Sequence, residues 1–114
     1  MMRNFKYKKA YRQGEILIFK LPKNAVIPSY LGLTLQPDGV IREGEETGHK
    51  HQVEGDAQLS LFGQEKDEGV IDVGKGGATV THPEHEDIKL EQGKYVVKTQ
   101  KEVKGKYGNQ SVRD

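Results

Sequence analysis

The chain has 114 residues, enough for one domain with a modest core. It contains no Cys, which excludes disulfides and thiolate metal sites. Its longest strongly apolar run, at 16–19, is too short to span a bilayer. A cytoplasmic protein without a membrane partner is therefore expected.

Charge is unevenly distributed along the chain. Residues 1–14 carry five basic and no acidic side chains, residues 98–114 are also basic, and the stretch between them is net acidic. Basic ends are typical either of solvated termini or of a surface that binds phosphate groups. Hydrophobic residues make up only 33% of the sequence, which favours a homodimer that shares buried surface.

The predicted elements are short strands. The 14 glycines divide the chain into short apolar or alternating pieces, and no segment shows a helical period. The first strand is expected at 15–21. A turn is expected at 37–39, where Pro presets φ and Gly supplies a positive φ, and a strand starts again at Val40. Gly44 and Gly48 indicate bulges or close backbone approach.

The second half of the chain follows the same pattern. Further strands are predicted at 57–62, 70–73, 78–82, 87–90 and 95–103. A turn at Lys75-Gly76-Gly77 separates two of them, and Pro83 ends another because it cannot donate to a strand ladder. The last two strands form the clearest predicted hairpin. Roughly eight short strands imply an all-β barrel or two-sheet sandwich, with a basic N-terminal segment at 1–14, an all-β domain at 15–103 and a basic tail at 104–114.

All four histidines of the chain lie in two motifs, His49-Lys50-His51 and His82-Pro83-Glu84-His85. In an extended strand, residues two apart point to the same side, so His49 and His51 would share a face about 7 Å apart. The second motif lies at a strand end beside a turn, where site residues are common. We expect His51 and His82, or His49 and His85, to lie within about 10 Å of each other and form one site.

One interpretation of these motifs is a metal site. His-x-His with a carboxylate and a later His is the ligand set of the cupin barrels, and imidazole with carboxylate suits Fe, Mn, Zn or Ni. The ligands of such a divalent transition metal would be His49, His51, His85 and a carboxylate from Glu45, Glu46 or Glu84. The cupin glutamate follows the His-x-His, however, whereas Glu45 precedes it and Glu54 follows only three residues later.

A second interpretation is general acid–base catalysis without any cofactor. Two imidazoles can cleave a ribose phosphodiester, one taking the proton of the 2′-hydroxyl and the other protonating the leaving oxygen, each for about 10²–10⁴-fold in rate. The developing phosphorane charge needs cationic or hydroxyl donors. The predicted catalytic residues are His49, His51, His82 and His85, and the predicted substrate-binding residues are Lys50, Thr47, Arg42 and Lys89. A purely structural histidine-rich rim is the third interpretation.

Two longer segments carry a resemblance to known sequences. Residues 44–51 (GEETGHKH) and 81–100 (THPEHEDIKLEQGKYVVKTQ) resemble a group of small, mostly uncharacterised bacterial, plasmid and phage proteins. That group shares Gly-Glu-x-Thr-Gly-His-x-His, His-x-x-His and Ile-x-Leu-x-x-Gly-x-Tyr-x-Val-x-x-Gln. The chain departs from the group at 101–103, because an acidic–aromatic pair usually follows the Gln.

The occurrence of this group on mobile elements resembles that of proteins that degrade host immune signals. The CRISPR ring nucleases, which open cyclic oligoadenylates and are often small dimers, are one such class. The resemblance implicates the same four histidines. It favours a phosphodiesterase or ribonuclease-like enzyme of antiviral defence, acting on RNA or a small cyclic oligonucleotide. A cupin-like metalloprotein and a non-catalytic nucleotide-binding module are the alternatives.

Overall fold

A computed structural model describes residues 9–44 and 46–100 of the chain. Most of the predicted N-terminal segment, the predicted tail at 104–114, the departure at 101–103 and Glu45 lie outside the described residues. The described part consists of strands, turns and one 3-10 turn at Ser29–Leu31, which confirms the predicted all-β class. No helix in that part has the length and apolar character needed to cross a membrane.

Eight strands follow one another along the described chain. They are β1 (Ala10–Gln13), β2 (Ile16–Lys20), β3 (Thr34–Leu35), β4 (Val40–Glu43), β5 (Lys50–Phe62), β6 (Glu68–His82), β7 (His85–Leu90) and β8 (Gly93–Thr99). All belong to one antiparallel sheet in the order β1-β2-β8-β6-β5-β3, while β4 pairs with the first half of β5 and β7 with the last part of β6. The predicted number of about eight strands is confirmed, and the sheet is not closed into a barrel.

The long strands β5 and β6 bend the sheet in its middle. The register between them shifts between Gly55 and Ala57. Gly55 has a φ of +111°, and a Cβ there would lie 2.8 Å from the carbonyl oxygen of Gly77. Only glycine tolerates this conformation together with this close approach, so the bend depends on it.

Two predictions are wrong at this bend. The Lys75-Gly76-Gly77 segment is not a turn between strands, because β6 runs through it and the chain bends there without reversing. The Gly76 N–H is still satisfied, since it donates to Oδ2 of Asp56 at 3.0 Å. The predicted hairpin of the last two strands does not form, because β7 and β8 pair with different halves of β6.

β5 begins at Lys50, seven residues before the predicted strand at 57–62, and β6 joins the predicted strands at 70–73 and 78–82 into one. The strand at 78–82 ends before Pro83 as predicted, within the longer β6. A turn does occur at 37–39, and the Gly39 N–H donates to the Gln36 carbonyl oxygen at 3.0 Å. Residues 10–13, which their charge grouped with the N-terminal segment, form β1 and pair with β2.

The larger of two buried apolar clusters draws side chains from both halves of the bent sheet. One half contributes Ile16, Ile18, Leu59, Leu61, Ile71, Val73, Tyr95 and Val97, and the other contributes Ile41, Val53, Ala78, Val80 and Leu90. Burial of each large aliphatic side chain contributes about 1.5–3 kcal/mol to stability. The buried polar residues of the described chain are Gln13, His51 and Thr99, and the first two contact each other at one end of the core.

Candidate active site

Three chain connections meet at this polar end of the core. Gly14 and Glu15 form the tight turn between β1 and β2, residues 44–49 connect β4 to β5, and Pro83-Glu84 form the tight turn between β6 and β7. His82 and His85 flank that last turn as register partners. Both histidine motifs are therefore brought to one place by the ends of strands that are far apart in sequence.

The four histidine rings form one group, the histidine cluster. Ring centroids lie 4.3 Å apart for His51 and His82, 4.7 Å for His82 and His85, 5.8 Å for His49 and His82, and 6.1 Å for His51 and His85. His82 contacts each of the other three rings. The expected proximity of the two motifs, within about 10 Å, is confirmed.

The two histidines of the His-x-His motif have different environments. Gly48 has a φ of +73°, and β5 begins only at Lys50, so His49 belongs to the preceding loop rather than to the strand. The side chain of His49 is 34% exposed, whereas that of His51 is 2% exposed. The motif therefore places one ring at the surface and the other in the core.

Buried Gln13 fixes the orientation of His51. Its side-chain Nε2 donates to the carbonyl oxygens of Val80 at 3.0 Å and Glu86 at 2.9 Å. Both amide protons are thus used, so Oε1 is the atom that faces Nδ1 of His51, at 2.9 Å. An amide oxygen only accepts hydrogen bonds, and Nδ1 of His51 must therefore carry a proton.

The other ring nitrogen of His51 faces a carboxylate. Nε2 lies 3.1 Å from Oε1 of Glu15, whose side chain is 42% exposed. His51 consequently has acceptors on both sides, and it satisfies both of them only as an imidazolium. With both nitrogens bonded inside the protein, His51 supports the cluster rather than contacting a ligand.

The outer side of the cluster is organised by Glu84. Its backbone N–H donates to Nδ1 of His82 at 3.0 Å, so the neutral His82 ring carries its proton on Nε2. One oxygen of the Glu84 carboxylate lies 3.6 Å from Nδ1 of His49. This carboxylate is placed to orient the His49 ring with Nε2 on the far side, as outer partners of functional histidines commonly do.

Burial and neighbouring charges lower two histidine pKa values. Burial lowers the pKa of His51 below its ordinary value, although the Glu15 carboxylate opposes this change. The pKa of His82 is also lowered, first by burial and then by the charges of His85 and His49. Burial alone would raise the pKa of Glu15, but its backbone hydrogen bond and His51 outweigh that effect and keep the pKa below its ordinary value. The Glu15 carboxylate is therefore ionised at pH 7.

An open pocket of about 400 Å³ borders the outer side of the cluster. It is lined by Gly48, His49, Lys50, Gln52, Thr81, His82 and Pro83. A second open pocket, of about 320 Å³, lies next to His85, Arg12 and Gln13. Pockets of this size accommodate small-molecule ligands.

The remaining predicted ligand-binding residues lie at different distances from the pocket. Lys50 lines it directly. Oγ1 of Thr47 accepts the His49 N–H at 3.1 Å and so shapes the loop that carries His49. Arg42 lies opposite His51 on β4 but does not line the pocket. Lys89 lies opposite Thr79, about 10 Å along β6 from His82, so the structure does not bring it to the site.

The metal interpretation predicts a group of ligands around the histidines. Within residues 9–44 and 46–100, no group of three or more His, Asp or Glu side chains is arranged to hold a metal ion. Glu46 is exposed in the loop, and Glu54 lies opposite Thr79, away from the cluster. Glu45 lies outside the described residues. The metal interpretation therefore stays a prediction.

Gln13 and Glu15 are the site residues that the histidine motifs did not reveal. They come from a hairpin that is more than 30 residues before His49 in the chain. The local sequence carried only one signal, the Gln13-Gly14 pair expected to precede a strand. Gly14 has a φ of +60°, and a Cβ there would lie 3.0 Å from Nε2 of His85 and 3.3 Å from Cε1 of His51. A glycine at this turn is what allows the rings to approach the β1–β2 connection.

By fold and site, the chain is an all-β domain with a four-histidine cluster at one end of a bent antiparallel sheet. A family model described as a domain of unknown function (DUF8820) matches residues 12–100, and the chain belongs to this family. The match includes Gln13, Glu15 and all four histidines. No curated protein and no solved structure shows a significant match to the chain.

Proposed function

We propose that the histidine cluster is the active site of a phosphodiesterase that cleaves RNA or a small cyclic oligonucleotide by metal-independent acid–base chemistry. The observation that carries this proposal is the pair of rings at the open pocket. His49 and His82 lie 5.8 Å apart between centroids and line the pocket together with the cationic Lys50. Two imidazoles on the same pocket as a cation are suited to a phosphodiester.

His49 is the general base in this proposal. The Glu84 carboxylate lies 3.6 Å from its Nδ1, so a proton on that nitrogen leaves Nε2 as the basic position. Nε2 takes the proton of the substrate 2′-hydroxyl, and the 2′-oxygen then forms a bond to phosphorus. The carboxylate stabilises the imidazolium that results.

His82 is the proton donor. A general acid must be the charged ring, so His82 acts as an imidazolium, formed when Nδ1 takes a proton in place of the hydrogen bond that it accepts from the Glu84 N–H. The proton on Nε2 passes to the 5′-oxygen as the bond between phosphorus and this oxygen breaks, and His82 returns to the neutral ring. The products are a 2′,3′-cyclic phosphate and a 5′-hydroxyl. Lys50 stabilises the negative charge that develops on the phosphoryl oxygens.

The resemblance to proteins of mobile elements supports a cyclic oligoadenylate as the substrate. Cleavage of such a ring would remove a host immune signal, which is the role expected of a CRISPR ring nuclease. A homodimer and a cytoplasmic location accompany this proposal.

The direct test is a cleavage assay of the purified, untagged chain on cyclic oligoadenylates and short RNAs, with and without excess EDTA. We expect cleavage to persist in EDTA and to leave 2′,3′-cyclic phosphate ends, because the neighbouring 2′-hydroxyl is the nucleophile. The rate should follow a bell-shaped curve with pH, because the base must be the neutral ring and the proton donor the charged ring. Activity that is lost in EDTA and restored by Mn²⁺ or Fe²⁺ would identify a metalloenzyme instead. Tight binding without turnover would identify a nucleotide-binding module.

A further inference from the structure

Gln13 and Glu15 surround one buried imidazole with two acceptors. Oε1 of Gln13 lies 2.9 Å from Nδ1 of His51, and Oε1 of Glu15 lies 3.1 Å from Nε2. The Gln13 amide cannot reverse without cost, since its two N–H groups already donate to the carbonyl oxygens of Val80 and Glu86. Reversal would place an oxygen against two oxygens inside the core.

From this arrangement we infer that Gln13 and Glu15 are positioning residues that set where His51 carries its protons. Gln13 keeps a proton on Nδ1 of His51 in every charge state, and the second proton is gained or lost at Nε2, against Glu15. This inference deepens the proposed function and rests on it for its effect on catalysis, but not for the protonation pattern itself.

The protonation of His51 affects the proposed proton donor directly. The His51 and His82 rings lie 4.3 Å apart with an angle of 33° between their planes. A positive charge on His51 would therefore oppose a positive charge on His82. The Glu15 carboxylate is the counter-charge nearest to His51. It offsets the positive charge of His51 and so limits the repulsion that His82 experiences at the pocket.

Other charged groups also face His51. His82 faces it from β6, His85 from β7, and Arg42 lies opposite it on β4. The charges of His82 and His85 oppose a second proton on His51. Glu15 is the anionic group that favours it, which makes Glu15 the informative position to change.

The experiment is NMR of the full chain labelled with ¹⁵N and ¹³C at histidine. Long-range ¹H–¹⁵N spectra report which ring nitrogen carries the proton, and the ¹³Cε1 shift reports the charge of each ring as pH changes. In the wild-type protein, we expect His51 to carry its proton on Nδ1 at pH 7.5. A proton on Nε2 alone would overturn the inference, and this measurement needs no substitution.

The variant Glu15→Gln tests the second half of the inference. It removes the charge but keeps the shape, and its amide N–H can donate to Nε2 of His51. The proton affinity of His51 should fall about tenfold or more, since an opposite charge at this distance typically has an effect of that size. Glu54→Gln, an equally conservative change of an exposed carboxylate on β5, should leave the titration of His51 unchanged. Equal titration curves for the two variants would contradict the inference.

Catalysis provides a separate readout. With a cleaved substrate in hand, Glu15→Gln should shift the pH dependence of kcat, while KM stays within about twofold because Glu15 does not line the pocket. Absence of cleavage by every variant would refute the proposed function. The NMR result does not depend on cleavage, so it would still decide the assignment of Gln13 and Glu15 as positioning residues.

Discussion

The inner and outer sides of the histidine cluster use the same side chain for different purposes. On the inner side, His51 is 2% exposed and both its ring nitrogens are held by Gln13 and Glu15. On the outer side, His49 is 34% exposed beside an open pocket. A single residue, Lys50, separates two histidines that the sequence presents as equivalent. The inner ring is therefore part of the folded core, and the outer ring is available to a ligand.

The largest expected effect is on the outer side. His49→Ala should lower kcat/KM about 10²–10⁴-fold, because it removes the proposed general base. Stability should change by no more than about 0.5 kcal/mol, since the side chain is partly exposed. Cleavage rates and urea denaturation of the same preparation check both statements. A variant that loses its fold together with its activity would show that His49 belongs to the core.

The opposite pattern is expected on the inner side. His51→Ala should lower the free energy of unfolding by about 3 kcal/mol, because it leaves a cavity and deprives the buried Gln13 oxygen of its donor. Urea denaturation measures the loss, with His49→Ala as the matched control in the same motif. Equal stability of the two variants would remove the distinction between the two sides.

A substitution in the β1–β2 turn next to the histidine cluster should have a smaller effect on stability. A second glycine with a similar φ provides a close control. Gly14→Ala should destabilise the fold by about 2 kcal/mol, because the residue has a positive φ and a Cβ there would press on His85 and His51. Gly32 has a similar φ of +69°, but a Cβ added there would meet no other atom within 4 Å. Gly32→Ala should therefore cost only the conformational part, about 1 kcal/mol. Thermal denaturation compares them, and an equal loss would mean that the rings do not pack on Gly14.

The last effect is a gradual loss of stability in acid. Because folding lowers the pKa of His51 and His82, the unfolded chain binds more protons than the folded one below about pH 6.5. Stability is then fully present above pH 6.5 and decreases as pH falls through the folded pKa values. Glu15, whose folded pKa is also lowered, adds a further loss at more acidic pH. Urea denaturation between pH 7.5 and 5 tests the sign, and a fold that gains stability in this range would contradict the account.

The fold class followed from local features, whereas the arrangement of the sheet did not. Glycine spacing and alternation indicated short strands, and Pro83 marked a true strand end. The continuous β6 and the separation of β7 from β8 depend on a bend at Gly55, which matters only once β5 and β6 are paired. A local pattern of glycines does not distinguish a bend from a reversal of the chain.

The candidate site was partly predictable for a similar reason. The two motifs placed four histidines in short segments, and their proximity is confirmed. The roles of Gln13 and Glu15 depend on a hairpin that packs against β6 and β7 from a distant part of the sequence. Charge alone suggested Lys89, which the strand register then places away from the pocket. The homodimer stays a prediction that light scattering at micromolar concentration would test.

The central claim is that histidines from both motifs act as one catalytic unit. It is tested most directly by comparing kcat/KM of His49→Ala, His82→Ala and the double variant on the best cleaved substrate in EDTA. Each single variant should lose about 10²-fold or more, and the double variant should lose much less than the product of the two, because residues that act in one step are not additive. Losses that multiply, or a single variant that retains full activity, would contradict the account.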